Sequence, residues 1–115
     1  MEKVDLYLSL GSNMGDKAGN IEKALSLLNI ALKTPYKALS SLLETEPWGF
    51  ESKERFLNAA VLYELELPEG YNPEAQGLMI LEICKDIERK LGRTGEPMYD
   101  ERGERIYTDR TIDID

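Results

Sequence analysis

Hydrophobic residues follow two periods along this chain. Over residues 56–67 the alternation is strict. Leu57, Ala59, Val61, Tyr63, Leu65 and Leu67 share one parity, and Phe56, Asn58, Ala60, Leu62, Glu64 and Glu66 the other. Side chains alternate across a strand, so the segment reads as a strand with one face on a core. Residues 4–10 repeat the pattern through Val4, Leu6, Leu8 and Leu10. Ile21, Ala24, Leu25, Leu28, Ala31 and Leu32 instead recur at helical spacing, which predicts a helix over 17–32 that opens near Asp16 and stops at Thr34-Pro35. A second helical stripe, Ile80, Cys84, Ile87 and Leu91, predicts a helix over 73–91. Asn72-Pro73 starts it and Gly92 ends it.

The remaining segments are less regular. Gly11 to Asp16 reads as a turn, Tyr36 to Thr45 as a second strand, and residues 46–53 as a loop. Residues 93–109 are polar and contain glycine, which predicts an extended loop or a small hairpin around Asp100-Glu-Arg-Gly103. A last strand begins near Ile106 or Thr111. The order β-α-β-β-α-β is the ferredoxin-like split βαβ arrangement, an α+β fold with helices packed on an antiparallel sheet.

A length of 115 residues bounds this to a single domain, residues 1–115, and 42% hydrophobic with 31% charged residues is ordinary for a globular one. Fourteen basic against 22 acidic residues give a net charge of −8, which argues against general binding to nucleic acid or an anionic membrane. Cys84 is the single cysteine, so no internal disulfide forms, and histidine is absent. That excludes histidine acid–base chemistry and disfavours zinc. With no basic-then-apolar leader and no stretch of membrane length, the expectation is a cytoplasmic protein.

The candidate chemistry sits at the end of the chain. In Arg110-Thr-Ile-Asp-Ile-Asp115 the aspartates alternate with isoleucines. Asp113 and Asp115 therefore share one strand face, roughly 6–7 Å apart at Cα. Taken alone, such a pair is the solvent-facing side of an edge strand. Arg110 beside it, and Arg93, Arg102 and Arg105 in the preceding loop, supply the parts of a phosphoryl-transfer site. Phe56 and Asn58 share a face near the Glu44-Thr-Glu-Pro-Trp-Gly-Phe50 loop, where a ring and an amide can hold a flat heterocycle. The alternative is an asparagine bonded to backbone. Gly11-Ser12-Asn13 lacks the spacing of a nucleotide-binding loop and reads as a structural turn. Cys84 lies in the apolar stripe and reads as core.

Five segments together carry a resemblance: Tyr7-Leu-Ser-Leu-Gly-Ser-Asn13, Glu44-Thr-Glu-Pro-Trp-Gly49, Phe56-Leu-Asn-Ala-Ala60, Ile87-Glu-x-x-Leu-Gly-Arg93 and Arg110-Thr-Ile-Asp-Ile-Asp115. In order and approximate spacing the chain resembles the 6-hydroxymethyl-7,8-dihydropterin pyrophosphokinases of folate biosynthesis. The resemblance implies the same ferredoxin-like fold and transfer of pyrophosphate from ATP to the pterin's hydroxymethyl oxygen, leaving AMP. It also implies two Mg²⁺ ions held by Asp113 and Asp115, with Asp113 near the pterin hydroxyl. Arg93 and Arg110 would bind phosphate, and Glu88 would lie on the nucleotide side. Thr45, Pro47, Trp48, Phe56 and Asn58 would form the pterin pocket, and loop 94–109 would close over the substrates. Phe56 stands where a tyrosine also occurs in the family, and Thr108-Asp109 replace smaller residues before Arg110.

The family continues past its second aspartate along a strand expected to be central, so the stop at Asp115 reads as a truncation. The expectation is a monomer with impaired turnover and an edge open to pairing. The competing readings are a non-catalytic ferredoxin-like module that binds a small molecule or a partner, and an acidic interaction domain without a ligand.

Overall fold

Two long strands carry the architecture. In the computed structural model, which describes residues 1–45, 55–92, 98–99, 101–103, 105–106 and 112–115, β1 spans Glu2–Ser12 and β4 spans Phe56–Leu67. They pair antiparallel without interruption, from Glu2 opposite Leu67 to Ser12 opposite Leu57. Between them come helix α1 (Lys17–Leu32) and the short strands β2 (Ala38–Leu39) and β3 (Leu43–Thr45). Helix α2 (Pro73–Lys90) follows β4, and β7 (Asp113–Ile114) closes the chain. Both helices start as predicted: Asp16 accepts a hydrogen bond from the Gly19 amide, and Asn72 accepts from the Glu74 and Ala75 amides.

The main sheet has five strands in the order β2-β4-β1-β7, with β3 also on β4, and every pairing is antiparallel. This is the expected α+β, ferredoxin-like arrangement. The helices cover one face. Leu8 and Leu10 of β1, Ala59, Val61, Tyr63 and Leu65 of β4, and Ile112 and Ile114 at β7 meet Ile21, Ala24, Leu25 and Leu28 of α1 and Cys84 and Ile87 of α2. The parity read from sequence is thus the parity that is buried. Tyr63 is fully buried, and its hydroxyl donates to Asn29 Oδ1 at 2.6 Å, so its polar end is satisfied inside the layer.

Three differences from the sequence-based expectation have physical causes. The second strand is broken. Three residues lie between Leu39 and Leu43, whereas two lie between their partners Val61 and Asn58. One extra residue is therefore accommodated between β2 and β3, a β-bulge. Ser40 bridges it: its amide donates to the Ala60 carbonyl, and its Oγ accepts from the Ala60 amide at 2.8 Å. Second, Gly11 and Ser12 belong to β1, not to a turn. Third, among the described residues β7 is an edge strand with β1 on one side. Residues Arg105–Ile106 are not its beginning. They form β6, which pairs with β5 (Met98–Tyr99) in the small hairpin expected around Gly103, whose φ is +79°.

Candidate functional site

The sheet face away from the helices brings the predicted residues together by register. Directly opposed residues in an antiparallel pair share a face. Gly11 opposes Asn58 on one side and Asp113 on the other, and Asn58 in turn opposes Leu43. One row across the open face therefore reads Leu43, Asn58, Gly11, Asp113. Thr45 opposes Phe56 two residues toward one end. Toward the other end, Asp115 exchanges both backbone hydrogen bonds with Ser9, at 2.8 and 2.9 Å. Asp113 is half-buried and Asp115 exposed. Of the predicted site residues, Thr45, Phe56, Asn58, Asp113 and Asp115 thus share one surface. Pro47, Trp48, Arg93 and Arg110 lie outside the described residues, as does most of loop 94–109.

Gly11 is the residue that sequence reasoning undervalued. A Cβ at this position would lie 2.9 Å from Asn58 Oδ1 and 3.3 Å from Phe56 Cδ1. The ring and the amide lie against bare backbone of β1, an approach that a Cβ would allow only if Asn58 or Phe56 moved aside. A glycine inside a segment of strand period was the available signal. Asn58 also ties β3 to β4. Its Nδ2 donates to Thr45 Oγ1 at 2.7 Å and to the Leu43 carbonyl at 3.2 Å. The backbone-bonded reading of Asn58 therefore holds for its amide nitrogen, while its oxygen lies over Gly11.

Beyond Gly11, the connection to α1 is held by buried polar groups. Ser12 and Asn13 are fully buried. Asn20 Nδ2 donates to Ser12 Oγ at 3.2 Å and to the Met14 carbonyl at 2.9 Å. The turn beside the Asp113 row is thereby fixed to the first turns of α1, through Ser12, which the sequence reads as part of a structural turn, and Asn20, which no sequence motif singles out.

Glu88 approaches from the helix layer. It is 8% exposed, and its Oε2 accepts a hydrogen bond from the Ile114 amide at 3.1 Å, between the two aspartates. Cys84, one turn earlier on α2, is buried; burial first, then the Glu88 and Asp115 carboxylates, push its thiol up to about 11. It stays protonated at neutral pH, which suits the core role expected for it.

A divalent cation fits the donor set in one way. Among the described residues no group of three or more histidine, cysteine, aspartate or glutamate side chains could enclose a metal ion. Two carboxylates on one face leave most of the coordination sphere to water and to a ligand's phosphate oxygens, the usual situation of Mg²⁺ with nucleotides. No helix among the described residues is long and apolar enough to cross a membrane.

Comparison with known proteins shows the family of the chain. A sequence model of the family described as 7,8-dihydro-6-hydroxymethylpterin-pyrophosphokinase matches residues 7–115. A 2-amino-4-hydroxy-6-hydroxymethyldihydropteridine pyrophosphokinase of Porphyromonas gingivalis is 44% identical over 110 residues, covering 96% of this chain and 65% of that protein. The enzymes of the same name from Methylorubrum extorquens and Bacillus subtilis are 39% and 36% identical. They cover 95% and 84% of this chain, and 59% and 53% of their own lengths. The chain thus spans between about half and two thirds of the curated relatives it matches.

Proposed function

The chain belongs to the 7,8-dihydro-6-hydroxymethylpterin-pyrophosphokinase family, and from that premise we propose that it serves pyrophosphate transfer from ATP to 6-hydroxymethyl-7,8-dihydropterin in folate biosynthesis. The observation that carries this reading is the row Asn58, Gly11, Asp113, with Phe56 beside it and Asp115 further along β7's open face. It sets a flat, ring-lined floor next to a carboxylate pair. A heterocycle on that floor would bring a hydroxymethyl substituent to the aspartates.

In this reading Phe56 stacks on the pterin, and Asn58 and Thr45, with Pro47 and Trp48, bind its edge. Asp113 and Asp115 hold two Mg²⁺ ions, which supply charge neutralisation for the triphosphate when bound. Arg93 and Arg110 bind the phosphates and offset charge that develops in the transition state. The pterin hydroxymethyl oxygen forms a bond to the β-phosphorus as the bond from that phosphorus to the α,β-bridging oxygen breaks; the bridging oxygen departs with AMP, and the hydroxyl proton passes to the neighbouring Asp113 carboxylate. The role of this chain's residues is chiefly to align those atoms and exclude water. A cytoplasmic setting, where ATP is at hand, belongs to the same reading.

Calorimetry with Mg²⁺, a non-hydrolysable ATP analogue and the pterin tests it. The expected result is pterin binding that strengthens with Mg²⁺ and nucleotide and that Asp113→Asn weakens. Pterin binding indifferent to Mg²⁺ and to Asp113→Asn would favour a non-catalytic small-molecule module, and no binding of either ligand would sink both.

A further inference from the structure

The structure assigns Glu88 a positioning role: its carboxylate fixes the peptide between Asp113 and Asp115, and so the relative aim of the pair. The inference rests on reading Asp113 and Asp115 as the Mg²⁺ ligands. Along an antiparallel strand, successive amides point to opposite sides. Asp115 exchanges both backbone hydrogen bonds with Ser9, so its amide faces β1, and the Ile114 amide is turned to the outer edge. There Glu88 Oε2 receives it at 3.1 Å in a buried setting.

The bond acts on a rigid unit. The Ile114 N–H and the Asp113 carbonyl belong to one planar peptide. Holding that plane restrains ψ of Asp113 and φ of Ile114, the torsions that set how the Asp113 side chain leaves the strand relative to Asp115. Ile112 and Ile114 anchor the same segment in the core, with Ile114 5% exposed. Apolar anchors fix the depth of a strand but leave its rotation softer, because dispersion contacts have little directionality. The pairing with β1 holds the strand directionally on its inner side, and the hydrogen bond to Glu88 adds a directional restraint on the outer side. Glu88 touches the site through backbone from the helix layer, whereas the aspartates look out from the opposite face. Family resemblance puts this glutamate beside the nucleotide; the geometry gives it a hold on the strand as well.

The test is a titration of the chain with Mn²⁺, followed by electron paramagnetic resonance, in the wild type and in Glu88→Gln, Glu88→Asp and Asp113→Asn. Glutamine keeps the length and an acceptor oxygen. Aspartate keeps the charge but is one methylene too short to reach the Ile114 amide. The expected order is wild type close to Glu88→Gln, with Glu88→Asp weaker by about 10- to 100-fold, the range for residues that orient metal ligands. Any other order overturns the role, including equal affinities, or loss in Glu88→Gln with retention in Glu88→Asp. Nucleotide affinity that falls in Glu88→Gln while Mn²⁺ affinity holds would make Glu88 a nucleotide contact. Amide exchange in the wild type supplies a readout independent of the variants' folding: the Ile114 proton should be protected, and free exchange there refutes the bond. Asp113→Asn separates the two claims. If it leaves Mn²⁺ binding intact, the metal-site reading fails and this inference with it. If it removes binding while the Glu88 order is wrong, only the inference fails.

Discussion

At the scale of single residues, the site depends on an absence. Gly11 has no side chain, so Phe56 and Asn58 rest on the backbone of β1 within reach of the Asp113 row. Gly11→Ala would drive a methyl group to 2.9 Å from Asn58 Oδ1. Overpacking of this kind costs about 1–3 kcal/mol, roughly a 5- to 150-fold loss if it falls on the bound complex. Calorimetry should show weakened pterin binding and unchanged Mg²⁺–nucleotide binding; equal pterin affinity would mean that the floor is not the pocket. Two buried protons make a second prediction. Burial first, then Tyr36 and Cys84, push the Tyr63 hydroxyl up to about 12 from 10.0, and Cys84 rises to about 11 from 9.0. Both pKa values are higher folded than unfolded, so the unfolded chain loses these protons first as pH rises. Stability intact below pH 9 should therefore fall between pH 9 and 12, seen as a falling melting temperature. Tyr63→Phe should flatten the upper part of that fall, after a loss of about 1 kcal/mol for the Asn29 hydrogen bond.

At the scale of elements, the strength of each strand's pairing predicts the order in which the fold loosens. β1 and β4 share a register eleven residues long, while β7 pairs at Leu10–Ile114 and Gly11–Asp113. Its attachment therefore rests heavily on Ile112, Ile114 and the Glu88 bond. Ile114→Ala leaves a cavity worth about 2–5 kcal/mol. Because β7 can open without the rest, much of that loss should appear as local opening. Hydrogen exchange should speed up at the Ser9 amide, which bonds the Asp115 carbonyl, and stay slow along the β1–β4 ladder. Uniform acceleration would show that β7 opens only with global unfolding. The same contrast explains what could be read from sequence. β1, β4 and both helices bury one face, so burial writes its period into the residues. β2 and β3 have exposed side chains throughout, which leave the bulge at Ser40 without a pattern. The aspartate pair and the Phe56–Asn58 face were legible because strand parity fixes them. Glu88's hold on a backbone amide was not, because a helix residue's reach to a strand peptide depends on how the layers dock.

At the scale of the whole molecule, charge sets function against stability. The chain carries −8, and three of its acidic residues, Asp113, Asp115 and the buried Glu88, gather around one short strand. Like charges gathered on a folded surface repel more than they do in an expanded chain. A site built to attract cations should therefore destabilise the protein when no cation is bound. A cation that binds only the folded chain reverses this by mass action, adding about 2.7 kcal/mol at a hundredfold excess over its dissociation constant. For a domain of this size that is a rise of roughly ten degrees or more in melting temperature. Mg²⁺ should produce it at millimolar concentration, where Na⁺ of equal ionic strength screens charge without occupying the site. Asp113→Asn should lose most of the Mg²⁺ increment in melting temperature, because one of the two carboxylates that would hold the cation is gone. A variant that keeps the full increment would place cation binding elsewhere on the acidic surface and remove the aspartate pair from the reaction.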